Sequence, residues 1–420
     1  MKILFIVDKY YPESSANTVC SEKIIKYLQE QGNQVDVLTE LVCNDGNDLY
    51  SYNGSKVIKF KTYHNKMLRC FGKLFKAKNW EDFPKLFKFG AGTLYRLTHP
   101  TRINTQYNSF DLVNYNKIAK QIKNVGGSYD IIMSVSSPFA LQVLAVNLIK
   151  RGVAKKWFPI FLDPFVYNKV LKKSKIDYRK KVAENVLSVA DTIFVIEGVM
   201  AENKRQGYNP EYHNKIIEIT IPNLKKDDNN HIALNQKLDK IVLTYAGLFY
   251  KDIRNPQIMF EIIKELPASY ELHIYGEGCN DLINQYVNYD NQKFKYFGRV
   301  EHSVCLNKLF NSNILINLSN TITNQMPSKV FEYISYGKPI VNFYFSENDI
   351  SLKYFKKYPL AFNINLNNYT SEDIENLKAF CEKNKNVCLN FEDATENLVE
   401  YRVENICKNM YANILKNMDN

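Results

Sequence analysis

The chain has 420 residues, 45% hydrophobic and 24% charged, with a formal net charge of +11. That is too long for one hydrophobic core and suits two domains of about 200 residues each, and the composition excludes a disordered chain. No apolar run reaches the roughly 18–20 residues that span a bilayer, and the eight cysteines, without CxxC pairs or neighbouring histidines, argue against zinc or a disulfide framework and for reduced thiols.

In chain order, "KILFIVD" (2–8) reads as a buried strand, because only five apolar residues precede Asp8, too few for a signal-peptide core. A polar loop, a helical pattern from Val19 to Gln31, a Gly32 stop and the strand "QVDVLTE" (34–40) follow. A basic, aromatic insertion occupies about 41–125, and then "YDIIMSVSS" (129–137), "FPIFLDP" (158–164) and "DTIFVIE" (191–197) read as further buried strands. Residues 223–239 are polar and Asn-rich and read as a linker.

A second series begins at "KIVLTYAGLFY" (240–250). It continues through a helix from Pro256 to Leu266, "YELHIYGEG" (270–278), a helix from Asp281, "FKYFGRV" (294–300) and another helix. It closes on "ILINLSN" (314–320), a short helix and "KPIVNFYF" (338–345), while 394–418 reads as one long helix. Strands alternating with helices predict an α/β chain of two Rossmann-like, doubly wound domains, 1–222 and 240–393, with a C-terminal helical segment 394–420 that can cross back to the first domain. Such a plan binds ligands at the carboxyl ends of its strands, and many functions share it.

The charge is local. From Lys56 to Arg102 twelve Lys and Arg face two acids, Glu81 and Asp82, an excess of +10 that is nearly the whole net charge. Within it "KMLRCFGKLFKAKNWEDFPKLFKF" (66–89) interleaves cations with Phe, Leu and Trp. The pattern fits a helix in a lipid headgroup layer, with Lys73, Lys76, Trp80, Lys85 and Lys88 against anionic lipid. An amphipathic helix packed on its own domain and a single-strand nucleic-acid site are the rival readings, and nucleic acid is the weakest of the three.

At the junction "NQMPSKVFEYISYGKPIV" (324–341), Pro327 suits a first helical turn, and Ser328 with Lys329 offers a hydroxyl and a cation where helix N–H groups favour an anion. Glu332, one turn on, either accepts hydrogen bonds from neighbouring sugar hydroxyls or only complements the helix dipole. In "AGLFYKDIRNPQ" (246–257), Gly247 permits close backbone approach and Arg254 is either a two-oxygen phosphate clamp or a solvated side chain.

Taken together, "PSKVFEYISYGKPIV", "YAGLFYKDIRNP", "LHIYGEG", "YFGRV", "ADTIFVIEGVMAENKRQG" and "IPN" (221–223) resemble a GT-B-fold glycosyltransferase, closest to glycosyltransferase family 4. "MKILFIVDKYYPE" and "GNQVDVLT" are similar to that family's opening strands, so the resemblance spans all but about 41–125. It implies two domains facing across a cleft, the second binding a nucleotide-diphosphate sugar. Glu332 then matches the residue on the ribose, Lys329 and Arg254 those on the diphosphate, and Gly298, Arg299 and Val300 the stretch whose backbone reads the base. Gly276 and Gly278 match the glycine-rich strand end beside the nucleotide. The pattern is broken at Asn324, where the family often carries the first of two glutamates seven residues apart; an amide bonds hydroxyls but takes no proton.

The implied reaction moves a glycosyl group to an acceptor hydroxyl, with retention and without a metal or other cofactor. No Asp-x-Asp signature occurs. The acceptor, a glycan or a lipid-linked sugar, is expected on the first domain near Ser15, Ala16 and Asn17. Asp163 and Glu197 are the candidate acids there, each with a helix-cap or turn role as the alternative. The whole reads as a cytoplasmic, membrane-peripheral enzyme of bacterial surface polysaccharide or glycolipid synthesis. A sugar-nucleotide epimerase of the same fold and a silent nucleotide-sugar-binding subunit are the competing functions.

Overall fold

The structure is a computed structural model that describes residues 1–13, 15–40, 48–60, 70–76, 83–90, 115–136, 138–168, 176–226, 240–322 and 329–419. The chain divides into two compact units, Met1–Pro222 with Ile406–Asn420, and Asn223–Asn405.

The first unit holds an eight-stranded sheet. Its strands are β1 (Lys2–Val7), β2 (Gln34–Glu40), β3 (Leu49–Tyr52), β4 (Ser55–Phe60), β5 (Tyr129–Ser136), β6 (Ala154–Phe161), β7 (Ile193–Ile196) and β8 (Ile216–Ile219), in the spatial order β3-β4-β2-β1-β5-β6-β7-β8. All pairs are parallel except β3 with β4. Ile3 to Val7 are fully buried, as a near-continuous apolar run must be when helices cover both faces of a parallel sheet. Trp157, the largest buried side chain, donates its indole N–H to Ser134 Oγ at 2.7 Å, so its one polar atom is satisfied in the core.

The second unit is a wholly parallel sheet of β9 (Ile241–Leu248), β10 (Tyr270–Glu277), β11 (Phe294–Gly298), β12 (Ile314–Leu318), β13 (Ile340–Tyr344) and β14 (Ala361–Asn365). The order is β11-β10-β9-β12-β13-β14, the three-two-one-four-five-six order of a dinucleotide-binding sheet. Phe260, Leu272, Phe294, Ile316 and Phe343 are among its core residues. Near the carboxyl edge, Asn317, Asn342 and Asn363 stand in register on β12, β13 and β14. Asn317 bonds Asn342 at 2.7 Å in the interior and Asn342 bonds the half-buried Asn363 at 2.9 Å, a ladder that pins those strands side by side.

Two expectations are corrected. The single helix predicted over 394–418 is instead a short helix Phe391–Ala394, a 3-10 turn Glu396–Tyr401 and a helix Val403–Met418. The break follows from burial of Ala394 and Leu398 and from extended Arg402, after which the Val403 N–H bonds the Leu224 carbonyl at 2.9 Å. Ile406 onward belongs to the first unit, where Asn417 donates to Thr192 Oγ1 at 3.0 Å and Tyr411 pairs with Asn33. The single helix over 66–89 is interrupted at 72–76, a turn in which Lys76 takes φ +51°. No described helix is long and apolar enough to cross a membrane.

Candidate functional site

In the second unit the sheet order puts β9 between β10 and β12, so crossovers leave it in opposite directions. A crevice opens at such a switch, at the carboxyl ends of β9 and β12. Gly247, Arg254, Gly276, Gly278, Arg299 and Val300 lie on strand ends or the following turns along this one edge, and Lys329 and Glu332 lie on the helix that follows β12. Asn324 and Ser328 lie outside the described residues.

Arg254 follows β9 in a tight turn whose Arg254 N–H bonds the Tyr250 carbonyl at 2.8 Å. Its Nε donates to Asn320 Oδ1 at 2.9 Å, and an Nη donates to the Leu248 carbonyl at 3.3 Å. The half-buried guanidinium is thus held between the ends of β9 and β12. Asn320 is fixed in turn through Ser319, whose hydroxyl donates to Asn342 Oδ1 at 3.3 Å.

Lys329 and Glu332 share the first turn of the helix Lys329–Ser335, with Lys329 Nζ 3.6 Å from Glu332 Oε2. Tyr336 donates to the other carboxylate oxygen at 2.7 Å, which holds the rotamer. The helix is bolted to β9 by Tyr333. Its hydroxyl donates to the Ala246 carbonyl and accepts from the Ala246 N–H, both at 3.3 Å, and complete burial drives its pKa well up. Burial also raises the Cys305 thiol, with the Lys329 charge opposing the shift and the Glu332 charge adding to it.

The glycines have a steric reason that the sequence did not give. Gly276 takes φ +136°, and a Cβ there would lie 1.8 Å from the Gly247 carbonyl oxygen. Gly278, at φ +97°, would place one 2.1 Å from the Phe249 oxygen. They let the ends of β9 and β10 pack backbone to backbone. Arg299 is 82% exposed and only 3.8 Å from Glu277, a solvated pair of little energetic weight, while Val300 is half-buried.

In the first unit the switch falls between β1 and β5. Ser15 caps the helix Ala16–Glu30 in a reciprocal box with Thr18, and its hydroxyl donates to Asp8 Oδ1 at 3.3 Å. Ala16 is exposed and Asn17 half-buried on the first turn. Asp163 follows β6, half-buried, and Glu197 follows β7, where Thr220 donates to it at 3.4 Å. The three positions stand at the ends of three different strands of one edge.

No protein-family model matches the sequence, and no curated protein matches it. Solved structures match along its whole length. Sucrose-phosphate synthase from Thermosynechococcus elongatus is 12% identical over 99% of this chain and 98% of that one, with a TM-score of 0.62. HepE of Anabaena in complex with UDP and glucose is 12% identical over 99% of each chain, TM-score 0.62. The lipopolysaccharide outer core galactosyltransferase WaaB is 14% identical over 99% of each, TM-score 0.59. All share two parallel-sheet units of one type. The chain has the GT-B fold.

On this GT-B chain the strongest features missed in the sequence are Asp8, Asn320 and Tyr333. Asp8 directly follows the apolar run of β1, and burial raises its carboxyl above the ordinary aspartate value against the opposing effects of the Lys9 N–H and Ser15. Asn320 follows β12 with Ser319 between them. For Asp8 the available signal was the first polar residue after an apolar run, and for Asn320 it was the polar pair Ser319-Asn320 that ends one. The basic segment keeps Lys73, Lys76 and Lys85 exposed and Lys88 half-buried, while Trp80 lies outside the described residues.

Proposed function

We propose that the chain transfers a hexosyl group from a nucleotide-diphosphate sugar to an acceptor hydroxyl. The observation that carries this reading is the grouping of Arg254, Lys329 and Glu332 at the carboxyl edge of a three-two-one-four-five-six sheet, within a GT-B fold. In the transfer the acceptor oxygen bonds the anomeric carbon, the carbon–oxygen bond to the diphosphate breaks with its electron pair leaving on phosphate, and the acceptor hydroxyl's proton passes to the departing diphosphate oxygen. Arg254 and Lys329 are the cations for that charge, aided by the helix N-terminus, so a metal-independent reaction is part of the proposal. Glu332 takes the ribose hydroxyls, and Gly298 to Val300 the base. Retention is carried by the motif resemblance.

Several structural neighbours support a nucleotide-sugar donor, HepE by its bound UDP and glucose among them. WaaB, a lipopolysaccharide galactosyltransferase, supports surface polysaccharide or glycolipid synthesis. The acceptor is assigned to the first unit, near Ser15, Ala16, Asn17, Asp163 and Glu197, with Asn324 as the departure at the donor sugar. A lipid-linked acceptor places the protein peripherally on the inner face of the cell membrane, with Lys73, Lys76, Trp80, Lys85 and Lys88 toward anionic lipid.

The test is to incubate the full chain with UDP-, GDP- and ADP-sugars and follow nucleotide release and product mass. Release with one donor is expected. Tight nucleotide binding without release from any donor would favour a silent binding subunit, and a rearranged sugar still attached to its nucleotide would favour an epimerase.

A further inference from the structure

Among the described large apolar side chains, the three most exposed are Leu86 at 82%, Leu74 at 75% and Phe89 at 71%. All fall within one stretch of the Lys56–Arg102 segment, which carries an excess of +10. Scattered exposed apolar residues need no explanation, but three of this size within one basic stretch do. The neighbouring Lys73, Lys76 and Lys85 are exposed as well.

The phenylalanines of the same segment are used differently. Phe75 contacts Phe87 at 4.7 Å and Phe83 at 5.6 Å between ring centroids, and Phe83 stacks on Phe87 at 4.8 Å. Phe71 closes the group against Phe87 at 5.5 Å, and Phe83 is only 2% exposed. These rings tie residues 70–76 to residues 83–90 as one body. The pattern of the sequence had put the aromatic residues toward lipid; packing turns Phe75, Phe83 and Phe87 inward, leaves Phe71 39% exposed and leaves Leu74, Leu86 and Phe89 outside.

We propose that Leu74, Leu86 and Phe89 form an apolar wedge that inserts into an anionic bilayer, with Lys73, Lys76 and Lys85 at headgroup level. Aliphatic tips with lysines beside them match the hydrocarbon boundary and its phosphates. A single-stranded nucleic acid needs aromatic faces to stack on, and two of the three exposed groups are leucines. A protein interface core is depleted of lysine, which is abundant here. The wedge deepens the reading of a transferase with a lipid-linked acceptor and rests on it for its purpose.

The test is sedimentation of the full chain with vesicles of phosphatidylcholine and phosphatidylglycerol in equal parts, and with phosphatidylcholine alone. The wild type is expected to sediment with the mixed vesicles. A Leu74→Ser, Leu86→Ser, Phe89→Ser variant should bind them about tenfold or more weakly at unchanged circular dichroism. A Lys73→Glu, Lys76→Glu, Lys85→Glu variant should lose the salt-sensitive part of binding. The proposal is overturned if the serine variant sediments like the wild type, if the wild type ignores anionic vesicles, or if a mixed-sequence single-stranded RNA displaces it from them. Nucleotide release from the sugar donors, measured without vesicles, reports on the transferase reading separately. Vesicle binding without release keeps the wedge and removes the transferase; release without vesicle binding does the reverse.

Discussion

Asp8 ends β1 with a carboxyl that burial holds above the ordinary aspartate value of 3.8, while the Lys9 charge and the Ser15 hydroxyl oppose the shift. A carboxyl raised in the folded state adds stability below the unfolded value and loses it as pH rises through the folded one. At neutral pH the buried charge is therefore a net cost. Asp8→Asn is expected to raise the urea midpoint at pH 7, and the gain should fade as pH falls toward 3.8. A variant less stable than the parent at pH 7 would mean that the bonds to Ser15 and Lys9 outweigh burial. Cost at a strand end facing a switch point is what a functional acid looks like, but "IVDK" resembles any strand that stops at its first charge. Arg254 and Glu332 were readable from their helix starts. Their fixing partners Asn320 and Tyr336 were not, because side-chain bonds between separate segments leave no periodic trace.

At the scale of elements, five strands of the second unit, β9 to β13, were legible because each is a short apolar run stopped by glycine or a polar residue. Tyr270–Glu277 and Ile314–Leu318 fall within a few residues of the runs that predicted them. β3 and β4 went unread although Asn53-Gly54 joins them, with φ +45° and +78°, in the turn this dipeptide favours. The basic insertion hid that signal under a charge pattern. β8 and β14 were missed as short edge strands in polar surroundings. The β9–β10 approach yields a sharp test. Gly276→Ala adds a Cβ 1.8 Å from a carbonyl oxygen at a φ that L-residues avoid, and should cost about 3 kcal/mol in chemical denaturation. A change within about 0.5 kcal/mol would contradict that packing.

For the whole molecule, two doubly wound units were foreseeable from strand–helix alternation, since a parallel sheet needs a covering helix at each crossover. The return of the final helix to the first unit, Ile406–Asn420, was foreseeable as a crossing back, although its apolar stripe names no partner residues. The central claim is that the carboxyl edge of the second sheet binds a nucleotide diphosphate through Arg254, Lys329 and Glu332. Calorimetric titration of UDP, GDP and ADP into the wild type and Glu332→Ala tests it most directly. One nucleotide should bind the wild type and lose at least about tenfold in affinity in the variant, the loss of one or two good hydrogen bonds to a carboxylate, with unfolding unchanged. Equal affinity in both proteins would contradict the claim.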